Sequence, residues 1–336
     1  MHDLHPENIK QTASRQLDRS QGGPRVLLVF CGILLALCLA ITGGSYILDS
    51  MMASAGGLGG LTRRTMIQTF QNLLPIVNTV AMLILELGLW NAMLRISRGQ
   101  YVSPQSLKMG LSRFFPWLRC TLLQALIYVT AGMALANISM IIFFATPFSR
   151  KALELTVPLA MKTSDPMVLM ELLMEDEALL MSLFDAVIPM YIIFGVLALA
   201  AFLPVAYRLR LANLVILDDP TAGAFKGLFT SFRLTKGNWK HFVKLDLSFW
   251  WYYVLLALSI ALNYTDVILA AIGRPLPMSA TAGSLLAYGL YLVSQIALFY
   301  FLRPKVQVST ALLYDAIRPK EEAPKNTVVL GNIFQM

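Results

Sequence analysis

From Val26 to Leu48 the chain carries no charged side chain. Such a run covers the roughly 20 residues a helix needs to cross the hydrocarbon of a bilayer, where each backbone N–H and C=O must be satisfied within the helix itself. Five further stretches are as poor in charge, one of them interrupted once, by Glu86. Together they predict spans over residues 26–48, 66–94, 118–146, 184–207, 245–265 and 279–302. Composition agrees, since charged residues make up 14% of the chain and apolar residues 57%, against about 25% charged in an ordinary soluble protein. A water-soluble globule of 336 residues has no core large enough to hide so much apolar surface. The expected fold class is all-α: a polytopic membrane helical bundle of six transmembrane helices (26–302) between an amino-terminal tail (1–25) and a carboxy-terminal tail (303–336).

Basic residues set the direction. Of the 27 lysines and arginines, 21 fall in the amino-terminal segment, the second and fourth connections and the tail, and six fall in the alternate segments. The positive-inside bias then places both termini in the cytoplasm. The net charge of +8 needs no nucleic-acid partner; it reads as topology signals touching anionic headgroups of the membrane lipid on the cytoplasmic face. Ala53-Ser54-Ala55 has the small-x-small form of a signal-peptidase site. The apolar run before it is long and preceded by 25 residues, so an uncleaved anchor is the expectation, and intact mass decides. Cys31, Cys38 and Cys120 lie within or at the ends of spans and imply no disulfide framework.

Two connections share an order of parts. The first runs from Arg95 and Arg98 through Ser103-Pro104, Leu107, Leu111, Phe114 and Phe115 to Trp117. The second runs from Arg208 and Arg210 through Asp219-Pro220, Phe225, Leu228, Phe229 and Phe232 to Trp239. Ser or Asp before Pro predicts a helix start, because the side-chain oxygen accepts a free N–H and proline at the first helical position has none to satisfy. Phe225, Leu228, Phe229 and Phe232 form one helical stripe with Lys226 and Arg233 at its flank. Either this amphipathic helix lies flat at the membrane interface, or the stripe is buried against protein. On the opposite side, Asp165-Pro166 followed by Glu171, Glu175, Asp176 and Glu177 predicts an acidic amphipathic helix.

The segment from Tyr207 and Arg208 through Asp219-Pro220, Ser231 and Lys236-Gly237-Asn238-Trp239 to Phe242, Leu245, Leu247, Ser248 and Phe249 resembles a bacterial membrane family known as domain of unknown function 975. Arg303-Pro304, Ala311, Tyr314 and Asp315 resemble its closing element, with Lys305 where an aromatic residue is usual. The likeness is clearest from about residue 200 to 316. It implies a multi-pass protein of the bacterial cell membrane, and brings no reaction, ligand or catalytic residue with it.

The matched corner can be read physically. Gly237 suits the left-handed residue that ends a helix, and Asn238 can satisfy carbonyls left free there. Trp239 belongs at headgroup depth, with Lys236, Lys240 and Lys244 reaching toward phosphates and Asp246 one turn inside, near enough for a cation to neutralise it. The corner either fixes helix geometry or docks a lipid headgroup or a partner.

Glu86 is the ionisable group well inside a span. It precedes Arg95 by nine residues, about 13 Å at 1.5 Å per residue. A carboxylate there must be protonated, paired or hydrated. Asn78, Met82, Glu86 and Trp90 share a face, and Gln124, Asn137, Asn263 and Gln295 are candidate partners on other spans. No zinc-ligand, phosphate-loop or nucleophile-elbow motif occurs, and His2, His5 and His241 all lie outside the spans. No cofactor, metal site or catalysis is therefore expected. Two functional readings follow: a membrane-embedded binding or organising component with lipid or membrane-protein partners, or a carrier or channel subunit using Glu86.

Overall fold

The computed structural model describes residues 5–53, 60–162, 177–265, 268–269 and 280–318. Ser54 and Ala55 of the small-residue cleavage motif and most of the acidic segment after Asp165 therefore lie outside the described residues, as does the chain beyond Arg318. The described chain is helical: α1 (Pro6–Arg19), α2 (Gly23–Ala53), α3 (Gly60–Ser97), a 3₁₀ turn (Pro104–Lys108), α4 (Met109–Ser112), α5 (Phe114–Phe144), α6 (Phe148–Lys162) and α7 (Glu177–Leu209). There follow α8 (Ala212–Asp218), α9 (Ala224–Thr235), α10 (Trp239–Ser248), α11 (Trp250–Leu262), α12 (Ala280–Ala297), a π-helical turn (Leu298–Leu302) and α13 (Arg303–Ile317).

Among the described residues, five helical runs are long and apolar enough to cross a membrane: Gly23–Met52, Arg64–Ser97, Phe114–Phe144, Met181–Asp218 and Leu285–Ile317. A sixth exists if α10 and α11, which meet at a 64° bend, form one broken span. Many of their apolar side chains point outward, with Ile141 70% and Leu199 69% exposed. Helices that are apolar all round and uncovered by protein need a non-aqueous surrounding.

Two compact units divide the chain, Met1–Leu118 with Leu211–Met336, and Arg119–Arg210. In the second, Phe143, Ala152 and Ala186 form a small core, Tyr128 and Phe202 stack at 6.0 Å, and the Gln124 amide donates to the Leu209 carbonyl at 3.2 Å.

The core of the first unit gathers where α1, α2, α3 and α13 meet. Ala13, Val26, Phe30, Leu89, Met93, Ile96, Val102 and Val308 are buried together there. The amino-terminal segment is thus no loose tail. Pro6 and Glu7 open α1 and Arg19 closes it, as the helix dipole favours. Ile9 and Ala13, one turn apart, are buried. Gly22 turns the chain into α2 at φ +89°, where a Cβ would lie 2.0 Å from the Val102 carbonyl oxygen.

The segment after Leu302 is also helical where it is described. The helix continues from Arg303-Pro304 through Ile317, 15 residues in all, about 22 Å. Proline inside a helix lacks an N–H and crowds the carbonyl four residues back. The π turn directly before it opens the backbone and accommodates that ring, so the proline interrupts nothing. Val306, Val308, Ala311 and Leu313 are buried along α13, and Thr310 returns its hydroxyl proton to the Val306 carbonyl at 2.9 Å.

The first connection folds back on α3. Ser103 precedes a 3₁₀ turn with Pro104 at its first position, without a side-chain cap bond. Backbones approach closely here: a Cβ on Gly88 would sit 2.4 Å from the Leu107 carbonyl oxygen, and one on Gly110 2.4 Å from that of Ile84. Gly195 faces open space. Gly88→Ala should therefore destabilise the protein by about 1–3 kcal/mol through overpacking. Gly195→Ala should be neutral or stabilising by up to about 1 kcal/mol. Thermal unfolding in detergent of the two variants measures the contrast.

Candidate functional site

Two charged centres lie on α13 in the first unit. At its start, the Arg303 guanidinium pairs with Glu86 of α3 and stacks over the Phe299 ring at 4.3 Å. The carboxylate deep in the span is therefore paired with a cation, rather than with the amides expected from the sequence. Gln295 instead donates to Ser259 at 3.0 Å, beside a hydrogen bond between the Ser259 and Ser294 hydroxyls. The Asn137 amide donates within its own helix to Met133 at 2.8 Å. The Asn78 Oδ1 is shielded and has no partner among the described residues.

At the other end of α13 the second centre is built on Asp218, the last residue of α8. Its side chain is 4% exposed and accepts from Arg98 at 2.6 Å, from Tyr314 at 3.1 Å and from Arg318. Arg98 also grips Asp315 with two bonds, Nη2 at 2.7 Å and Nε at 3.1 Å. Burial opposes the Arg98 charge, but the bonds to Asp315 and Asp218 outweigh it and raise its pKa, so Arg98 remains a cation. The node ties the ends of α3, α8 and α13 together. Arg113, which closes the first connection, donates to the Pro220 carbonyl at 2.7 Å, so the two connections with the shared order of parts also touch.

Asp219 and Pro220 do not start a helix, contrary to the expectation. Asp219 ends α8 in an extended conformation, and α9 begins at Ala224 behind Gly223. The Asp219 carboxylate folds a turn instead, accepting from the Thr221 N–H at 2.8 Å and hydroxyl at 2.7 Å, and from Lys226 at 2.8 Å. Burial pushes its pKa up, yet the Lys226 and Thr221 bonds together outweigh it and hold it down at about 2. Asp followed by Pro reads as a cap, but Asp is equally suited to a turn closed on its own backbone two residues on. Gly227 packs α9 against α8, approaching Ile216 so closely that a Cβ would lie 2.9 Å away.

The corner from Lys236 to Asp246 lies beside this node along the chain. Lys236 ends α9, Gly237 follows at φ +85°, and the Asn238 amide donates to the Leu234 carbonyl at 3.0 Å. Trp239 opens α10 and is 39% exposed. Asp246 accepts from the Tyr253 hydroxyl at 2.9 Å, a bond that crosses the 64° break. Lys10 of α1 donates to the Ser248 carbonyl at 2.7 Å at the same break and lies 4.8 Å from the Phe249 ring centre.

The family described as "Protein of unknown function (DUF975)" matches residues 4–321. The chain belongs to that family. The match takes in α1 and α3 as well as the region from 200 to 316, so all partners of both charged centres fall within it. No protein of curated function and no solved structure matches the chain. Sequence reasoning singled out Asp219 and passed over Asp218, its neighbour; the only available signal was two adjacent acids at a helix end in a connection dominated by cations.

Removing one partner of a buried ion pair leaves an uncompensated charge, which costs about 3–5 kcal/mol. Asp218→Ala should lose that much in denaturant unfolding, whereas Asp315→Ala, at a site 29% exposed, should lose about 1 kcal/mol or less. The Asp219 contribution is fully present above the ordinary value of 3.8 and is lost as pH falls toward 2. Unfolding of Asp219→Asn should therefore depend less on pH across that window than unfolding of the parent chain.

Proposed function

We propose that this is a six-span protein of the bacterial cell membrane, with both termini in the cytoplasm, that binds and organises at the anionic inner leaflet and performs no catalysis. Lipid headgroups are its proposed partners, with a second membrane protein as a further one. The observation that carries the reading is the outer face of α9. Phe225, Phe229 and Phe232 are 67%, 73% and 44% exposed, while Gly227, Leu228, Ser231 and Leu234 are buried on the other side. The Ser231 hydroxyl accepts the Leu211 N–H at 3.2 Å and holds that inner face to the protein. Three phenylalanines turned away from the protein are costly in water and favourable among acyl chains, with cations alongside at phosphate depth.

A fluorescent label on Cys introduced at position 229, in proteoliposomes, should be quenched by a lipid-phase quencher and protected from an aqueous one. The reverse pattern would remove the reading. The carrier reading keeps one observation in its favour, a carboxylate within an apolar helix beside a π turn, a feature often found at functional sites. The Arg303 pairing supports a structural role instead. We expect no ion flux from proteoliposomes, a retained fold in Glu86→Gln, and a Glu86→Gln/Arg303→Gln double variant that loses less stability than the two single losses combined. Flux in the parent chain that Glu86→Gln abolishes would make the carrier reading the better one.

A further inference from the structure

Beside the Asp218 node, a cavity of about 280 Å³ opens between α9 and α13. Asp219, Lys226, Thr230, Arg233, Tyr314 and Arg318 line it. We propose that this cavity is a binding site for the phosphodiester of an anionic membrane lipid. The proposal deepens the reading of α9 as an interfacial helix and rests on it.

Charge supports an anion. Four cations, Arg98, Lys226, Arg233 and Arg318, gather around three carboxylates, Asp218, Asp219 and Asp315. The carboxylates serve to hold the cations in place: Asp218 orients Arg318, and Asp219 orients Lys226. An ammonium has three N–H donors. The Lys226 bonds to Asp219 at 2.8 Å and Thr221 at 3.4 Å use two of them, and the side chain remains 57% exposed. A guanidinium such as that of Arg318 has five donors in a planar fork suited to phosphate oxygens.

Position selects the source of the phosphate. At about 100° per residue along a helix, Phe225, Phe229 and Phe232 point one way from α9, and Lys226 and Arg233 point to the adjoining flank, toward the cavity. When the phenylalanines enter the acyl region, that flank and the cavity beside it stand at headgroup depth. A lipid can then place its tails against the phenyl face and its phosphate among Lys226, Arg233 and Arg318. A free phosphate would use only half of this arrangement.

The test uses the full-length protein, purified in detergent, exchanged against micelles of phosphatidylglycerol, then washed. Bound lipid is quantified by mass spectrometry. Lys226→Gln/Arg233→Gln should reduce retained phosphatidylglycerol about 25-fold, at about fivefold per cation removed. Arg233→Gln alone, which leaves the Lys226–Asp219 bond intact, should reduce it about fivefold. Arg15→Gln/Arg19→Gln removes as much charge from α1, away from the cavity lining, and should retain lipid as the parent chain does. Equal losses from both pairs would mean diffuse attraction and overturn the site. Complete displacement by inorganic phosphate at equal phosphate concentration would overturn the assignment to lipid. If the label at position 229 is quenched from the lipid phase yet the parent chain retains no phosphatidylglycerol, the cavity proposal falls while the interfacial reading stands.

Discussion

A carboxylate that is 4% exposed has lost nearly all of its water, and Asp218 recovers hydrogen bonds from three neighbours on two helices. That set of bonds organises the first unit. Arg98 comes from the end of α3, Tyr314 and Arg318 from α13 and the residue after it, and Asp218 itself ends α8. None of these helix ends can leave without stranding a charge, so the node holds in register three segments far apart in sequence. Packing alone would do this less selectively, because hydrophobic contacts between helices tolerate sliding whereas a bidentate guanidinium–carboxylate contact does not.

The bend between α10 and α11 is fixed by a similar device. A helix that stops at Ser248 leaves carbonyls without partners. Lys10 supplies an ammonium to one of them from the amino-terminal helix, and the Asp246–Tyr253 bond braces the two arms. A cation at a helix C-terminus is favourable in its own right. The amino-terminal segment therefore acts as a strut for the break, which explains why an amphipathic helix with Ile9 and Ala13 buried stands where the charge pattern showed only a basic leader.

Long apolar runs were legible in the sequence because a helix crossing hydrocarbon leaves a mark on every residue of the run. The outward stripe of α9 was legible through its spacing, although Leu228 faces inward, so the four apolar positions do not share one environment. What escaped was set by partners distant in sequence. Pro220 and Pro304 both resemble helix starts, yet the first sits in a turn closed by Asp219 and the second follows a π turn inside a continuous helix. A proline's local preference is clear; whether it begins, ends or merely bends a helix depends on whether neighbouring backbone can absorb its ring. Asp218 was hidden for the same reason. Its burial comes from Arg98, 120 positions earlier, and Arg318, 100 later.

The continuity of α13 also changes how Glu86 is understood. Taken from the sequence, Arg303 marks the end of the last apolar run and would lie at the membrane boundary, well apart from a carboxylate about 13 Å deeper. Because the helix runs on to Ile317, Arg303 lies at the level of Glu86, and the basic residues that close the helix come a further 15 positions along, at Arg318. The two centres thus terminate the same stretch of α13, one pairing it to the interior of α3 and the other to its end. Sliding α13 along α3 would break the Glu86–Arg303 pair at one end of this stretch and the Arg98–Asp315 pair at the other, so the two pairs together fix the register of the two helices.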